Sequence, residues 1–347
     1  MKGYLPRIYL FIVLIVLIAI ASLIFSRPPR QTNQDLIPLK IGYNVENLNN
    51  ASLIIALEEE YLQKRGISPQ IVPLKSGREV MQALAANQID IGIGGFINFM
   101  PAIAKGAPIK VLTTIVSSPS FLFVHPDNGL QNFNDLLGKR VALTVGGTND
   151  LFFRLALSRE NIDSSQIEFV DIDKSFLATA LVTKEAVEAV VASEQDMALI
   201  IKSGAIIFPA WTAKGYGREV QPRNSIMVNT AWLDNHEEII ENFLAALSDA
   251  HRLLVANPLS AAEIVAKNIK TNSDGAIIHD PENIVKQWQN REMVNTIWQD
   301  PALLMQLVDK ASEMGIVTKK LNMTDVYDLR FSAKLIKDQQ EIYGQTP

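Results

Sequence analysis

Four short stretches of this sequence hold residue types that could grip a small molecule. Arg140 to Phe153 reads RVALTVGGTNDLFF: an apolar run, two glycines, a threonine, then an apolar-periodic segment. A strand turning into a helix at Gly146-Gly147-Thr148 leaves the N–H groups of Gly147, Thr148 and Asn149 unpaired and pointing outward. They sit at the positive end of the helix macrodipole. With the Thr148 hydroxyl beside them, such donors suit a carboxylate, a sulfonate or a similar oxyanion. The plainer alternative is a bare turn capped by Thr148. No nucleotide cradle is encoded, because neither GxGxxG nor a P-loop lysine is present.

The other three stretches supply acceptors, amides and close backbone. NVENLNNAS, Asn44 to Ser52, groups Asn44, Glu46, Asn47, Asn49 and Asn50 after a first strand. Capping of the next helix would use Asn50 or Ser52 and leave the others to explain. Gly94-Gly95-Phe96, with Asn98 nearby, would let the backbone approach a ligand or make a tight turn. Ser193-Glu194-Gln195 follows the strand AVEAVVA. A carboxylate there, Glu194, favours an ammonium or another donor, and Glu46 and Asp150 push the same way. No arginine falls at these four positions, which argues against nitrate or sulfate and for a small polar or zwitterionic organic ligand. Phe96 and Trp211 could stack on it, or simply pack the core.

Composition removes several chemistries. The 347 residues include no cysteine, so thiolate metal sites, cysteine nucleophiles and disulfides are excluded. His125, His236, His251 and His279 lack metal-ligand spacing and read as scattered surface or cap residues. No metal site and no cofactor is expected. With 32 basic against 37 acidic residues the formal charge is -5, and no basic cluster invites nucleic acid.

The elements that must position these residues alternate. Lys2 and Arg7 precede an apolar stretch from Ile8 to Phe25. Eighteen helical residues reach ~27 Å, close to a hydrocarbon core of ~30 Å. The stretch reads as a membrane anchor or an export signal, with AIA at Ala19–Ala21 as a candidate cleavage site. SRPPRQTNQDLIP then reads as a linker. From Leu39, strands (LKIGY, SPQIVPL, IDIGIGG, IKVLTTIV) alternate with helices (ASLIIALEEEYLQKRG, SGREVMQALAANQ, FINFMPAIAKG). That order predicts βαβ crossovers and mostly parallel sheets. SIMVNTAWL reads as a late strand, and nearly everything after it as helix.

LKIGY, ALEEEYLQKRGI, SGREVMQALAANQIDIGIGG and PAIAKGAPIKVLTTIV, in that order, resemble the first lobe of periplasmic solute-binding proteins of the nitrate/sulfonate/taurine branch of ABC importers. NFNDLLGKRVALTVGGT, VEAVVASEQ and NTAWLDNHEEIIENFLAALSDAH continue the likeness, which spans about Leu39 to Phe331. The resemblance implies a type II periplasmic binding protein fold: two α/β lobes, each a mostly parallel sheet flanked by helices, joined by two hinge crossings. Residues 1–37 would be the anchor or signal segment plus linker, 38–117 with 225–347 lobe one, and 118–224 lobe two. The crossings would lie near Ser117–Pro119 and Val220–Ser225, which adds Ser118 to the ligand-facing set. In similar proteins a hydroxyl residue stands at Gly94, and Trp-Glu-Pro stands where this chain has Ser193-Glu194-Gln195, so two expected contacts are missing.

The resemblance further implies a monomeric binder without chemistry, on the outer face of the bacterial cytoplasmic membrane, that passes a small molecule to an ABC permease. Two rivals remain: a membrane-tethered sensor lobe, and an enzyme of thiamine-precursor or menaquinone type on the same scaffold. The thiamine-precursor enzymes depend on a cysteine-rich, histidine-bearing site, which this sequence lacks.

Overall fold

A computed structural model describes residues 36–344 except 46–47, 173–175, 183–185, 194–195, 219–220, 270–279 and 290–293. The anchor or signal segment at 8–25 therefore lies outside the described residues. So do Glu46, Asn47, Glu194, Gln195 and His279. Among the described residues no helix is long and apolar enough to cross a membrane.

From Ile37 onward the chain builds two sheets. The first half runs β1 (Ile37–Tyr43), α1 (Ala51–Glu58), β2 (Ile67–Pro73), α2 (Gly77–Ala85), β3 (Ile91–Gly95), α3 (Phe96–Ala104) and β4 (Ile109–Ser118). There follow β5 (Ser120–Val124), β6 (Arg140–Leu143), α4 (Thr148–Arg159), β7 (Glu168–Asp171), α5 (Leu177–Val182), β8 (Ala189–Ser193), α6 (Met197–Lys202), β9 (Ile206–Ile207) and α7 (Pro209–Ala213). The chain then returns through β10 (Gln221–Asn229) to α8 (Thr230–Leu233), α9 (Glu237–Ala256), α10 (Pro258–Asn268) and α11 (Pro281–Gln289). It ends with β11 (Val294–Asn295), α12 (Pro301–Glu313), α13 (Met323–Val326) and α14 (Ser332–Tyr343).

The first sheet has the order β11-β4-β10-β3-β1-β2, the second β7-β6-β8-β5-β9. β1 pairs in parallel with β2 and β3, and β6 with β7 and β8. The antiparallel members are β10 and β11 in the first sheet and β5 in the second. The reason is the crossing. β4 runs to the C-terminal edge of the first sheet, turns at Pro119 and enters the second sheet as β5 from its facing edge, so β5 must oppose β6–β8. β10 makes the return trip, with Gln221 opposite Ser118 and Ile226 opposite Ile93. The mostly parallel expectation thus holds for strand direction, with the crossing strands as its exceptions.

Two elements differ from the sequence expectation. The helix expected to run on to Gly66 stops at Glu58, and Glu60 turns with φ 55. Glu58-Glu59-Glu60 places three like charges at the negative end of the macrodipole, where they oppose its continuation. The strand read through Leu233 ends at Asn229, whose side chain accepts from Ala231 N–H and starts α8 instead.

His251 is not a surface residue. It is fully buried on α9, with Nδ1 2.5 Å from the Tyr343 hydroxyl of α14, and Nε2 meets no partner among the described residues. Burial pushes its pKa down to about 3 and pushes that of Tyr343 up. Below the ordinary imidazole value of 6.5 the unfolded chain takes up a proton that the folded chain refuses. Stability is therefore complete above that pH and falls between it and about 3. The slope approaches about 1.4 kcal/mol per pH unit. Urea titrations of wild type and His251→Gln between neutral pH and mild acid should show the shallower acid loss in the variant. Equal slopes would show that His251 does not set the acid limb.

Candidate functional site

A cleft of about 490 Å³ opens where the C-terminal ends of the two sheets face each other. Its wall is made of strand ends: Asn44 after β1, Lys75 after β2, Gly94 and Gly95 closing β3, Thr144 after β6, Asp171 ending β7 and Ser193 ending β8. Open α/β sheets bind ligands at such carboxyl edges, because loops leave there and helices begin there.

Three helix N-termini meet in this cleft. α2 is conventionally capped: the Ser76 hydroxyl accepts from Glu79 N–H. α3 and α4 are not: their caps are Gly95 and Gly147, and neither has a side-chain cap hydrogen bond among the described residues. The Asn98 carboxamide is wedged among all three. A Cβ on Gly77 would lie 2.7 Å from its Nδ2, and Cβ atoms on Gly95 and Gly147 would lie 3.2 and 3.1 Å from its Oδ1. The glycines are therefore what lets loops of both sheets close on one amide. Gly146 acts differently, since its φ of 80 makes the left-handed turn that ends β6.

Thr148 is the first residue of α4, not its cap. Its side chain is buried, and Oγ1 has no hydrogen-bond partner among the described residues. Leaving a buried hydroxyl unmet costs about 1–3 kcal/mol. Asn149, beside it, is held by the hinge: its Oδ1 accepts from Arg223 NH1 at 2.7 Å and from Ser120 Oγ at 2.7 Å. With the carbonyl so occupied, the donor Nδ2 is the end of this cleft-lining carboxamide that those two bonds leave unused.

Of the positions expected from sequence, Asn44, Asn49, Gly94, Gly95, Asn98, Gly147, Thr148 and Asn149 come together around the cleft. Others do not line it. Phe96 is fully buried in the core, its ring centroid 6.1 Å from that of Tyr327, because the first residue of α3 turns inward. Trp211 is likewise core. Asn50 stands behind the wall: its Nδ2 donates to Asn44 O and its Oδ1 accepts from Asn224, so it supports the loop. Ser118 is bound to Arg223 through Oγ and O. Asp150 is not offered to a ligand either. It accepts from Gly146 N–H at 2.8 Å and from Arg154 Nε at 2.6 Å. Glu46 and Glu194 lie outside the described residues.

Two arginines were missed. Arg78, in the first turn of α2, lines the cleft and pairs with Asp171 across it at 3.1 Å. Arg223, near the start of β10, is buried in the cleft wall. It donates to Ser118 O and Oγ, Pro119 O, Ser120 Oγ and Asn149 Oδ1 at 2.6–3.1 Å. No arginine falls at the four strand ends singled out from sequence, but these two line the cleft from outside them. Ser76-Gly77-Arg78-Glu79 could have been found as a further strand-to-helix turn. The signal for Arg223 was weaker, a lone cation in the crossing stretch QPRNS.

A family model described as NMT1/THI5 like matches residues 47–261. A Brucella abortus protein named as a binding protein is 23% identical over 252 residues, covering 72% of this chain and 77% of its own length. A Haemophilus influenzae protein named for thiamine biosynthesis is 23% identical over 221 residues, 62% of this chain and 68% of its own. The periplasmic aliphatic sulphonate binding protein of Escherichia coli shares the fold. It superimposes with a TM-score of 0.65 at 19% identity, over 84% of this chain and 92% of the other.

Proposed function

The chain belongs to the NMT1/THI5-like family, and we propose that within it this protein is an extracytoplasmic solute-binding component of an ABC-type importer. In this reading the two lobes are 38–117 with 225–347, and 118–224, and they close on a small organic anion. Residues 8–25 anchor or export the body, and a membrane permease receives the solute. The relatives named for binding support a binder rather than an enzyme.

One observation carries the ligand class. Two glycine-capped helices, α3 and α4, begin at the same cleft with no side-chain cap hydrogen bond among the described residues, beside a buried Thr148 hydroxyl with no partner among them. Unmet donors at helix N-termini favour an oxyanion. Lys75, Arg78 and Arg223, set against Glu79 and Asp171, leave the lining with one positive charge in excess. The volume, about 490 Å³, is in the range for small organic molecules and generous for a bare inorganic ion. The anion therefore carries an organic body, which Val80, Ile93 and Leu177 can flank.

The test is a panel of organic anions, cations and neutral solutes against the full chain. Thermal midpoint and tryptophan fluorescence are the readouts. Trp211 is a built-in reporter, since its Nε1 donates to Ser120 O at the crossing. We expect at least one organic anion to move both signals. A response confined to cations or neutral solutes would overturn the anion reading.

A further inference from the structure

α4 belongs to two cores at once. Phe153, Ala156 and Leu157 face the second sheet and pack in its apolar cluster. Leu151 is fully buried in a different cluster, built by α2, α3, β4, β10, α12 and α13 of the first-sheet half. Phe152 and Leu155 pack against that same cluster. A helix apolar on two opposed faces needs two partners to cover it. Here the partners are the two halves that a hinge would have to separate. The Asn98 carboxamide lies against Gly147 beside this seam, and Arg78–Asp171 spans the cleft mouth.

We propose that α4 is a clasp that keeps the two halves closed before any solute arrives. A polar seam would exchange its contacts for water when it opened, at little net cost. An apolar one exposes Leu151, Phe152 and Leu155, which disfavours opening. Exposed ion pairs contribute little, so the Arg78–Asp171 pair is secondary and α4 sets the resting state. Capture is then gated by transient opening rather than completed by ligand-driven closure. Affinity carries no penalty for populating a rare closed form. The clasp does not depend on which solute the cleft takes, so it can fail while the binding function stands, and the reverse.

The test needs no ligand. The chain has no cysteine, so Gln88→Cys and Gln166→Cys provide the only two thiols for spin labels, one on each half. Both positions are exposed. Double electron–electron resonance on the full chain in detergent, unfolded in urea and refolded to strip any carried solute, should give one narrow distance for the ligand-free protein. Leu155→Asp should add a longer, broader population, while Leu155→Met and Arg78→Ala should keep the narrow one. If Leu155→Asp fails to fold by circular dichroism, Phe152→Ser makes the same test. A ligand-free wild type already as broad as the aspartate variant would overturn the clasp, as would a seam variant that folds and stays narrow.

Discussion

Arg223→Ala is expected to lower the unfolding free energy by roughly 3 kcal/mol and to abolish measurable solute binding. Arg223 is 5% exposed, and its guanidinium ties the outgoing crossing at Ser118, Pro119 and Ser120 to the returning strand that carries it. Removing it takes a donor from two buried backbone carbonyls and leaves Asn149 Oδ1 with Ser120 Oγ alone. Unmet buried groups cost about 1–3 kcal/mol each before relaxation. Binding is lost for a separate reason. With NH1 gone, only the Ser120 hydroxyl holds Oδ1, and the Asn149 carboxamide can turn over and present an acceptor where the proposed anion needs a donor. Arg223→Lys keeps the charge but not the planar fork, so it should restore part of the stability and little of the affinity. Urea unfolding and calorimetric titration with the panel's best anion check both. Full affinity in a folded Arg223→Ala protein would show that the hinge does not set the geometry of the site.

Thr148→Val should move stability and affinity in opposite directions. Valine matches threonine in shape, and the hydroxyl it removes is buried with no partner among the described residues. Replacing an unmet buried polar atom by an apolar one of the same shape is neutral or stabilising, by up to about 1 kcal/mol. If that hydroxyl binds an anionic ligand, its loss should weaken binding at least about tenfold, since hydrogen bonds to charged groups contribute about 1.5–3 kcal/mol. The two roles separate cleanly. A capping threonine would cost stability when changed and leave the solute alone. Loss of stability with unchanged affinity would therefore return Thr148 to an ordinary helix start.

The fold was readable in the sequence because its signals are local. LKIGY, IDIGIGG and IKVLTTIV are short apolar runs bounded by turn residues, and each forms the expected strand. Gly146, Gly147 and Thr148 were readable for the same reason: a strand-to-helix turn has a local grammar. What escaped was set by distance along the chain. Arg223 meets Ser118 and Asn149, 105 and 74 residues away, so nothing near it reveals its role. His251 looked like a polar residue on a helix, and only docking of α14 across α9 buries it. Phe96 and Asn50 sit beside true cleft residues in sequence, but one turn of helix sends each behind the wall.

The claim that an oxyanion is held at the start of α4 is tested most directly by native mass spectrometry. The full chain and its Gly147→Leu variant would be isolated without dialysis. Gly147 is extended, with φ -95, so its backbone accepts leucine, but the added Cβ lies 3.1 Å from Asn98 Oδ1 and 3.3 Å from Thr144 O, so the variant must displace that amide as it fills the space in front of the α4 amides. The wild-type protein is expected to carry one small organic molecule with an acidic oxygen group, and the folded variant to lack it. A wild-type protein holding a solute with no acidic oxygen would contradict the claim, as would a variant that retains the same molecule in the same amount.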